Sequence, residues 1–343
     1  MTYSEGVRVL STPARRSREA MEVYRSLEQA GSLSGCAVVI GNLDGVHRGH
    51  RRLLETARAR AAPHRARVVA LTFEPHPARV LRPSMAPPIL TPLARKLELL
   101  EEAGVDATVV QPFDLEYAAT PAETFVRRDL RDRLGASDVV VGYDFTAGHE
   151  RARVDALREM LLACGIGLSV IQPVTVDGLT VSSTKVREFL LEGNVEGAAL
   201  LLGRPHDVEG VVERGAGRGR GLGFPTANLR PVGLLPAVGV YAARARVGAR
   251  GRPDGAKGSP EARLYPAVCN IGVKPTVEES GPVGLEVHLL DRADGDLYGE
   301  ALRVAFASRL RPERRFPSLE ALREQIGKDA EQARQLLRAQ GTM

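Results

Sequence analysis

Two segments of the chain carry residue types suited to handling phosphate. The first, Gly41-Asn42-Leu43-Asp44-Gly45-Val46-His47-Arg48-Gly49-His50, comes directly after the apolar run Ala37-Val38-Val39-Ile40. A strand that runs into a tight glycine-bearing turn and then a helix leaves free amides aimed at a ligand. The helix N-terminus adds partial positive charge for a polyanion. Gly41, Asn42, Asp44 and Gly45 are therefore candidates for holding a nucleotide. His47 and His50, three residues apart, project from one side of the first helical turn. Imidazoles there can donate hydrogen bonds as negative charge grows on a transferring phosphate. The bland alternative is a strand-helix turn with surface histidines, and the His-x-Gly-His ending weighs against it.

The second segment is Gly215-Ala216-Gly217-Arg218-Gly219-Arg220-Gly221-Leu222-Gly223-Phe224-Pro225-Thr226-Ala227-Asn228. Its alternate glycines suit neither a packed strand nor a helix and could form a plain linker. The Phe224-Asn228 end of the segment argues for more. Thr226 and Asn228 offer a hydroxyl and an amide oxygen two residues apart, on one side of a strand, where they can share a hard cation with ATP oxygens. One chain carrying both segments suggests two successive reactions on a nucleotide.

Around these segments the chain reads as two kinds of structure. Val38-Ile40, Val68-Thr72, Thr108-Val110, Val139-Val141 and Leu168-Ile171 are expected as buried strands. They alternate with helix-like Arg51-Ala62, Pro92-Ala103, Pro121-Leu134 and Val154-Cys164. Such alternation predicts an α/β fold with a doubly wound parallel sheet, whose ligands bind beyond the carboxyl ends of the strands. After Gly203-Arg204-Pro205 the period changes to two: Tyr241, Ala243, Ala245 and Val247 form one alternating set. Leu285, Val287 and Leu289 form a second, and Leu302, Val304 and Phe306 a third. That pattern predicts an antiparallel β-barrel, closed by a helix over Ser318 to Gln340. Arg250-Arg263, rich in Gly, Pro and charge, is expected as a floppy hairpin loop. The expected domains are 21–203 and 207–340, and a cut between Gly203 and Asp207 is expected to release two active pieces.

Composition narrows the function classes. At 343 residues, with 43% hydrophobic and 26% charged residues, the chain has the make-up of a two-domain globular protein. The formal charge of +5 invites a nucleic-acid reading, but only five of 47 basic residues are lysine, which marks a coding bias. The basic residues are also dispersed among acids, and 4% aromatics is too few for stacking platforms. No nucleic-acid partner is expected. Cys36, Cys164 and Cys269 are odd in number and form no Cys-x-x-Cys pattern, which points to a reducing, cytoplasmic setting. No apolar run reaches the ~18 residues of a membrane span, so no membrane partner is expected. Met1 to Ala20 has no apolar core of a secretory signal and reads as a mobile extension.

The chain resembles the His-x-Gly-His nucleotidyltransferases, and specifically the bifunctional bacterial riboflavin kinase/FMN adenylyltransferase (FAD synthetase) family. Thr72-Phe73-Glu74-Pro75-His76-Pro77, Val141-Gly142-Tyr143-Asp144-Phe145 and Val181-Ser182-Ser183-Thr184-Lys185-Val186-Arg187 recur in register with it. The resemblance runs from about Met21 to Arg334. It implies that Ser183, Thr184 and Arg187 hold ATP phosphates, Arg187 by a charge-assisted fork, and that Asp144 lines the nucleotide site. Read alone, Ser183 or Thr184 could simply cap a helix with Arg187 solvated one turn in. His76, between prolines, could touch ligand or only shape a loop.

In the barrel half, the resemblance implies Mg²⁺ and ATP bound by Thr226 and Asn228 beneath a flap that includes Gly219 and Gly221. A kinase acting on a primary alcohol needs a proton acceptor. Glu286 is the candidate, on the polar side of the strand that carries Leu285, Val287 and Leu289. A solvent-facing glutamate is the alternative reading. Asn270-Ile271-Gly272-Val273-Lys274-Pro275-Thr276 and Arg311-Pro312-Glu313-Arg314-Arg315-Phe316-Pro317 also match segments near that site. The implied activity is phosphorylation of riboflavin to FMN, then transfer of AMP from ATP to FMN to give FAD and pyrophosphate.

One departure stands out. The family usually continues after Tyr-Asp-Phe with a Phe-Gly-x-Gly-Arg-x-Gly-like loop, whereas this chain reads Thr146-Ala147-Gly148-His149-Glu150-Arg151-Ala152-Arg153. Leu43 also replaces the commoner Phe. These changes are expected to weaken flavin binding at the first site rather than its phosphate chemistry. A cytidylyltransferase-like enzyme would also fit the first half, but the Pro-Thr-Ala-Asn barrel speaks against it. A flavin-binding protein that has lost adenylylation is the rival from another class.

Overall fold

The computed structural model describes residues 20–214, 223–248, 263–273, 283–292 and 296–341. Gly219, Gly221, Lys274-Pro275-Thr276, nearly all of the Arg250-Arg263 loop and the first 19 residues lie outside that set.

Six strands build the first sheet: β1 (Glu22–Tyr24), β2 (Cys36–Ile40), β3 (Val68–Glu74), β4 (Ala107–Pro112), β5 (Ala136–Gly142) and β6 (Gly167–Ile171). All run parallel, in the order β1-β4-β3-β2-β5-β6. The central strand β2 is apolar and buried along its whole length because both faces are covered, and the edge strand β1 is partly exposed. Cys36, Val38 and Ile40 turn to a core shared with Val69, Leu71, Val139 and Val141. Ala37 and Val39 turn the other way, against Leu53, Leu54 and Ala57 of α1 (Arg48–Ala61) and Leu99 and Leu100 of α2 (Leu93–Glu102). Strand order reverses between β2 and β5, which opens a crevice at their carboxyl ends.

The helix expected over Pro121-Leu134 begins as α over Ala122–Thr124 and continues as a π-helix over Phe125–Arg133. The wider winding still buries Phe125, Val126 and Leu130. It also sets Asp129 at 0% exposure among Arg128 (2.8 Å), Arg133 (2.9 Å) and the Tyr117 hydroxyl (3.1 Å).

After α3 (Val154–Ala163), a small hairpin of β7 (Thr175–Val176) and β8 (Leu179–Thr180) leads into α4 (Ser183–Glu192) and α5 (Val195–Leu202). The second half is a closed antiparallel barrel of β9 (Asp207–Glu213), β10 (Ala227–Val232), β11 (Gly239–Val247), β12 (Leu264–Val273), β13 (Val283–Leu289) and β14 (Ala301–Arg311). The strands close in the order β10-β13-β12-β11-β14-β9. Helix α6 (Leu319–Ala339) lies on the outside, with Ala330, Ala333 and Leu337 against Val240, Ala242 and Val268. The expected pairing of a parallel sheet domain with an antiparallel barrel and final helix is what the chain adopts.

Between Gly203 and Asp207 the backbone passes from α5 to β9, but the apolar core does not part there. Leu190, Val195, Ala198, Leu201 and Leu202 of α4 and α5 form one cluster with Val208, Ala243, Leu302, Val304 and Phe306 of the barrel. Periodicity sees where strands begin; it does not see that a helix of the first half packs against the second. Charge also crosses the boundary. The Arg95 guanidinium on α2 grips Asp207 through Nε at 3.1 Å and Nη2 at 2.7 Å, and Arg303 on β14 reaches Glu98 at 2.6 Å while pairing with Glu209.

Candidate active site

The ends of β2 and β5 open into a cleft of about 990 Å³. Gly41, Asn42, Asp44, His47, His50, Asp144, Ser183, Thr184 and Arg187 all border it, although they come from segments far apart in sequence. Gly45 does not. It sits at φ +91°, where a Cβ would meet Leu90 Cδ1 at 3.2 Å, so its place is to let the turn pack. The same turn holds Leu43 at φ +51° and Val46 at φ +40°, conformations that L-residues adopt at a cost and that concentrate at functional sites.

His47 is the N-cap of α1, and its Nδ1 accepts the His50 backbone N–H at 3.2 Å. With Nδ1 accepting, the neutral ring carries its proton on Nε2. The His50 ring stacks on it with centroids 3.6 Å apart. Burial lowers the His47 pKa to about 4 and holds His50 well below the ordinary histidine range, with the charges of His47 and Lys96 acting in the same sense. At neutral pH both are uncharged imidazoles, each with one ring N–H to donate.

Asp44 and Arg187 are bound to each other. The Asp44 carboxylate accepts N–H bonds from Leu90 (3.1 Å) and Thr91 (2.9 Å) and pairs with Arg187 Nη2. Arg187 Nε donates to Pro88 O at 2.7 Å. The fork expected to face phosphate is thus partly held by protein acceptors, and Asp44 fixes its orientation at the cleft wall. Helix α4 is capped by Ser182, whose Oγ accepts the Lys185 N–H at 3.1 Å, rather than by Ser183 or Thr184. That frees the Ser183 hydroxyl to donate to Asp44 O at 2.8 Å. Within the Thr72-Pro77 motif, the Thr72 hydroxyl donates to Asn42 O at 3.1 Å, bracing the turn from behind. His76 caps the helix Pro77–Leu81, its Nδ1 accepting the Ala78 N–H at 3.1 Å, and it borders the cleft.

Part of the wall is aromatic. Phe73, Phe113 and Tyr117 meet with centroids 5.7 to 6.2 Å apart, and the Tyr117 hydroxyl is anchored on buried Asp129. Phe113 and Tyr117 lie just after β4 and carry no sequence signal of their own; only the sheet order brings them beside Phe73. The divergent loop Thr146-Arg153 forms a small hairpin in which Ala147 and Ala152 exchange backbone bonds of 3.0 and 2.8 Å. Glu150 accepts the Ala122 N–H at 2.8 Å. Gly148, at φ +69°, lies so close to Ala122 that a Cβ would come within 2.3 Å of its nitrogen. The loop is therefore built against the cleft. Ala147 itself is buried and borders the cleft.

On the barrel, Asn228 in β10 stands directly opposite Glu286 in β13, and Glu286 directly opposite Asn270 in β12. Paired residues share a face. Ala227, Leu229, Leu285, Val287, Cys269 and Ile271 take the inner face, so the Asn228-Glu286-Asn270 row faces outward. Glu313, from the segment after β14, lies 3.5 Å from Asn270 Nδ2 and extends the polar row. Thr226 stands just before β10, two residues from Asn228. His288 pins the approach to it, with Nδ1 2.8 Å from Pro225 O and its ring edge-on to Phe224 at 5.4 Å. The sequence alone assigns His288 no role; its contacts show what it holds.

A cleft of neutral histidines at the switch point of a parallel sheet, joined to a closed barrel with a polar row centred on Glu286, fits a two-site nucleotide-handling enzyme. Residues 29–185 match the family described as FAD synthetase, and residues 202–337 the one described as riboflavin kinase. The bifunctional riboflavin kinase/FMN adenylyltransferase of Pseudomonas fluorescens is 40% identical over 88% of this chain and 93% of that protein. The protein of the same description from Bacillus subtilis is 33% identical over 89% and 92%. A macrolide-efflux protein from Streptococcus pneumoniae, known as a crystal structure, superimposes with a TM-score of 0.80 at 27% identity, over 92% of this chain and 99% of that one. The chain belongs to the bifunctional riboflavin kinase/FMN adenylyltransferase family.

Proposed function

We propose that this chain makes FAD from riboflavin in two ATP-dependent steps, with residues 207–340 acting as the kinase and 21–203 as the adenylyltransferase. The two family matches fall on the two halves in that order. In the first step the Glu286 carboxylate takes the proton of riboflavin's primary hydroxyl as its oxygen attacks the γ-phosphorus of ATP, and ADP leaves. The outward row of Asn228, Glu286 and Asn270 supports that role, because it gives the carboxylate polar neighbours and access from outside the barrel. In the second step a phosphate oxygen of FMN attacks the α-phosphorus of a second ATP, and pyrophosphate leaves. His47 and His50 donate to the phosphate oxygens, while Ser183, Thr184 and Arg187 position the nucleotide.

Thr226 and Asn228 offer neutral oxygens of the kind Mg²⁺ accepts while phosphates supply the rest, so their donor set fits that ion. When bound, Mg²⁺ would offset charge on the β- and γ-phosphates. The flavin is a substrate at both sites. Three free cysteines support a cytoplasmic setting, and no helix among the described residues is long and apolar enough to cross a membrane.

The single observation that carries the reading is the union, in one member of this family, of the histidine-lined cleft and the Asn228-Glu286 pair. Incubation with riboflavin and Mg²⁺-ATP, resolved by chromatography over time, should show FMN first and FAD after it. Riboflavin left unphosphorylated, or supplied FMN left unadenylylated, would refute the corresponding step.

A further inference from the structure

The barrel touches the elements behind the first cleft through one short connection, between β10 and β11. Residues 86–92 of the sheet domain have no helix or strand of their own, yet Leu90 and Thr91 supply the two N–H groups that fix Asp44, and Pro88 O receives Arg187. The other edge of this strap rests on the barrel. The N–H of Leu234, between β10 and β11, donates to Ile89 O at 3.0 Å. Leu234 O in turn accepts from Nε2 of His206 at 2.7 Å, and His206 is only 2% exposed. A carbonyl can only accept, so that ring nitrogen carries the proton.

The same connection holds α4 from behind. The Ala237 N–H donates to Leu190 O at 2.9 Å. Arg309 bridges the two parts, donating from Nη2 to Val238 O at 2.8 Å and from Nη1 to Glu192 O at 3.3 Å. Helix α4 presents Ser183, Thr184 and Arg187 to the cleft at its other end.

We infer that the β10–β11 connection of the barrel is a positioning element for the adenylyl-transfer cleft, with His206 and Arg309 as positioning residues that act through the 86–92 strap and α4. This rests on the assignment of the cleft to adenylyl transfer. Two of the structures that orient the nucleotide-side residues, the strap and α4, each take hydrogen bonds from the barrel. An irregular segment is held where its backbone groups find partners, so removing a barrel donor lets the strap relax and Asp44 and Arg187 lose their fixed geometry. The kinase row, on the outward face of β10, β13 and β12, uses neither His206 nor Arg309.

The test compares His206→Leu, His206→Gln and Arg309→Met with the unaltered protein, measuring both reactions on each sample. Leucine removes the donor at similar size, whereas the glutamine amide can still reach Leu234 O. His206→Leu and Arg309→Met should raise the KM for ATP in FAD formation from FMN about tenfold, the effect of one lost buried hydrogen bond. FMN formation from riboflavin should stay within about twofold of wild type, which also reports that the barrel is folded. His206→Gln should recover most of the loss. Adenylylation at wild-type KM in both His206→Leu and Arg309→Met would overturn the inference. So would a parallel fall of both activities, or a glutamine variant as impaired as leucine. If the unaltered protein forms no FAD from FMN, it is the assignment of the cleft that fails instead.

Discussion

Glu286, the proposed proton acceptor, takes its setting from its neighbours across two strands. It sits on the outer face of a strand whose inner residues are in the core, between two amides that accept or donate without competing for its charge. Glu286→Gln keeps the shape but cannot take a proton. FMN formation should fall by roughly 10²–10⁴-fold, with FAD formation from supplied FMN intact. Near-normal kinase turnover would remove Glu286 from the mechanism. His47 yields a different expectation, set by burial. The folded protein leaves it unprotonated until pH nears about 4, whereas the unfolded chain binds a proton at its ordinary value of 6.5. Between those values the unfolded state holds more protons, so stability rises with pH across the window and is fully present above it. The span corresponds to at most about 3 kcal/mol. His47→Gln should flatten the acid limb of Tm measured from pH 4 to 7, and an unchanged slope would show that the imidazole is not held neutral. The same variant should lose FAD formation while FMN accumulates.

At the scale of elements, α4 and α5 belong to both halves. Their N-terminal end serves the cleft, and their apolar side packs with the barrel core. A fragment of residues 207–343 uncovers barrel surface that Leu190, Leu201 and Leu202 normally cover, whereas a fragment of 183–343 keeps it covered. Each leucine removed from contact is worth about 1.5–3 kcal/mol. The shorter fragment should therefore melt well below the longer one, and equal melting temperatures would mean that the shared cluster contributes little. The divergent Thr146-Arg153 hairpin belongs to this scale too. Its lost aromatic does not leave the cleft without one, since Phe73, Phe113 and Tyr117 also border it.

At the scale of the whole molecule, the two halves are joined by ion pairs that are largely shielded from water. Asp207 is 9% exposed and takes both Nε and Nη2 of Arg95, while Arg303 ties β14 to Glu98 on α2. Removing one partner of such a pair leaves the other charge buried and costs up to about 3–5 kcal/mol. Asp207→Asn should lower Tm accordingly, and little of that loss should be recovered at low salt because screening reaches buried pairs weakly. Arg95 Nη1 also pairs with Glu98 at 2.8 Å and Glu102 at 3.2 Å, and an unchanged Tm would show that those two alone satisfy it.

The sequence by itself determined the order of the two folds, the glycine-bearing turn after β2 and the spacing of His47 and His50, and it offered Glu286 as a candidate on the polar side of its strand. Those features depend on local rules: period, turn chemistry and the spacing of side chains along one element. Tertiary structure decided the rest. Asp44 and Arg187 meet across 143 positions of chain, and Phe73 joins Phe113 and Tyr117 only because β3 lies beside β4. Asn228 and Asn270 flank Glu286 through strand register, and α5 shares its core with the barrel by packing alone. Such contacts depend on which surfaces bury best against each other in the complete chain, and no local pattern of residues encodes that choice.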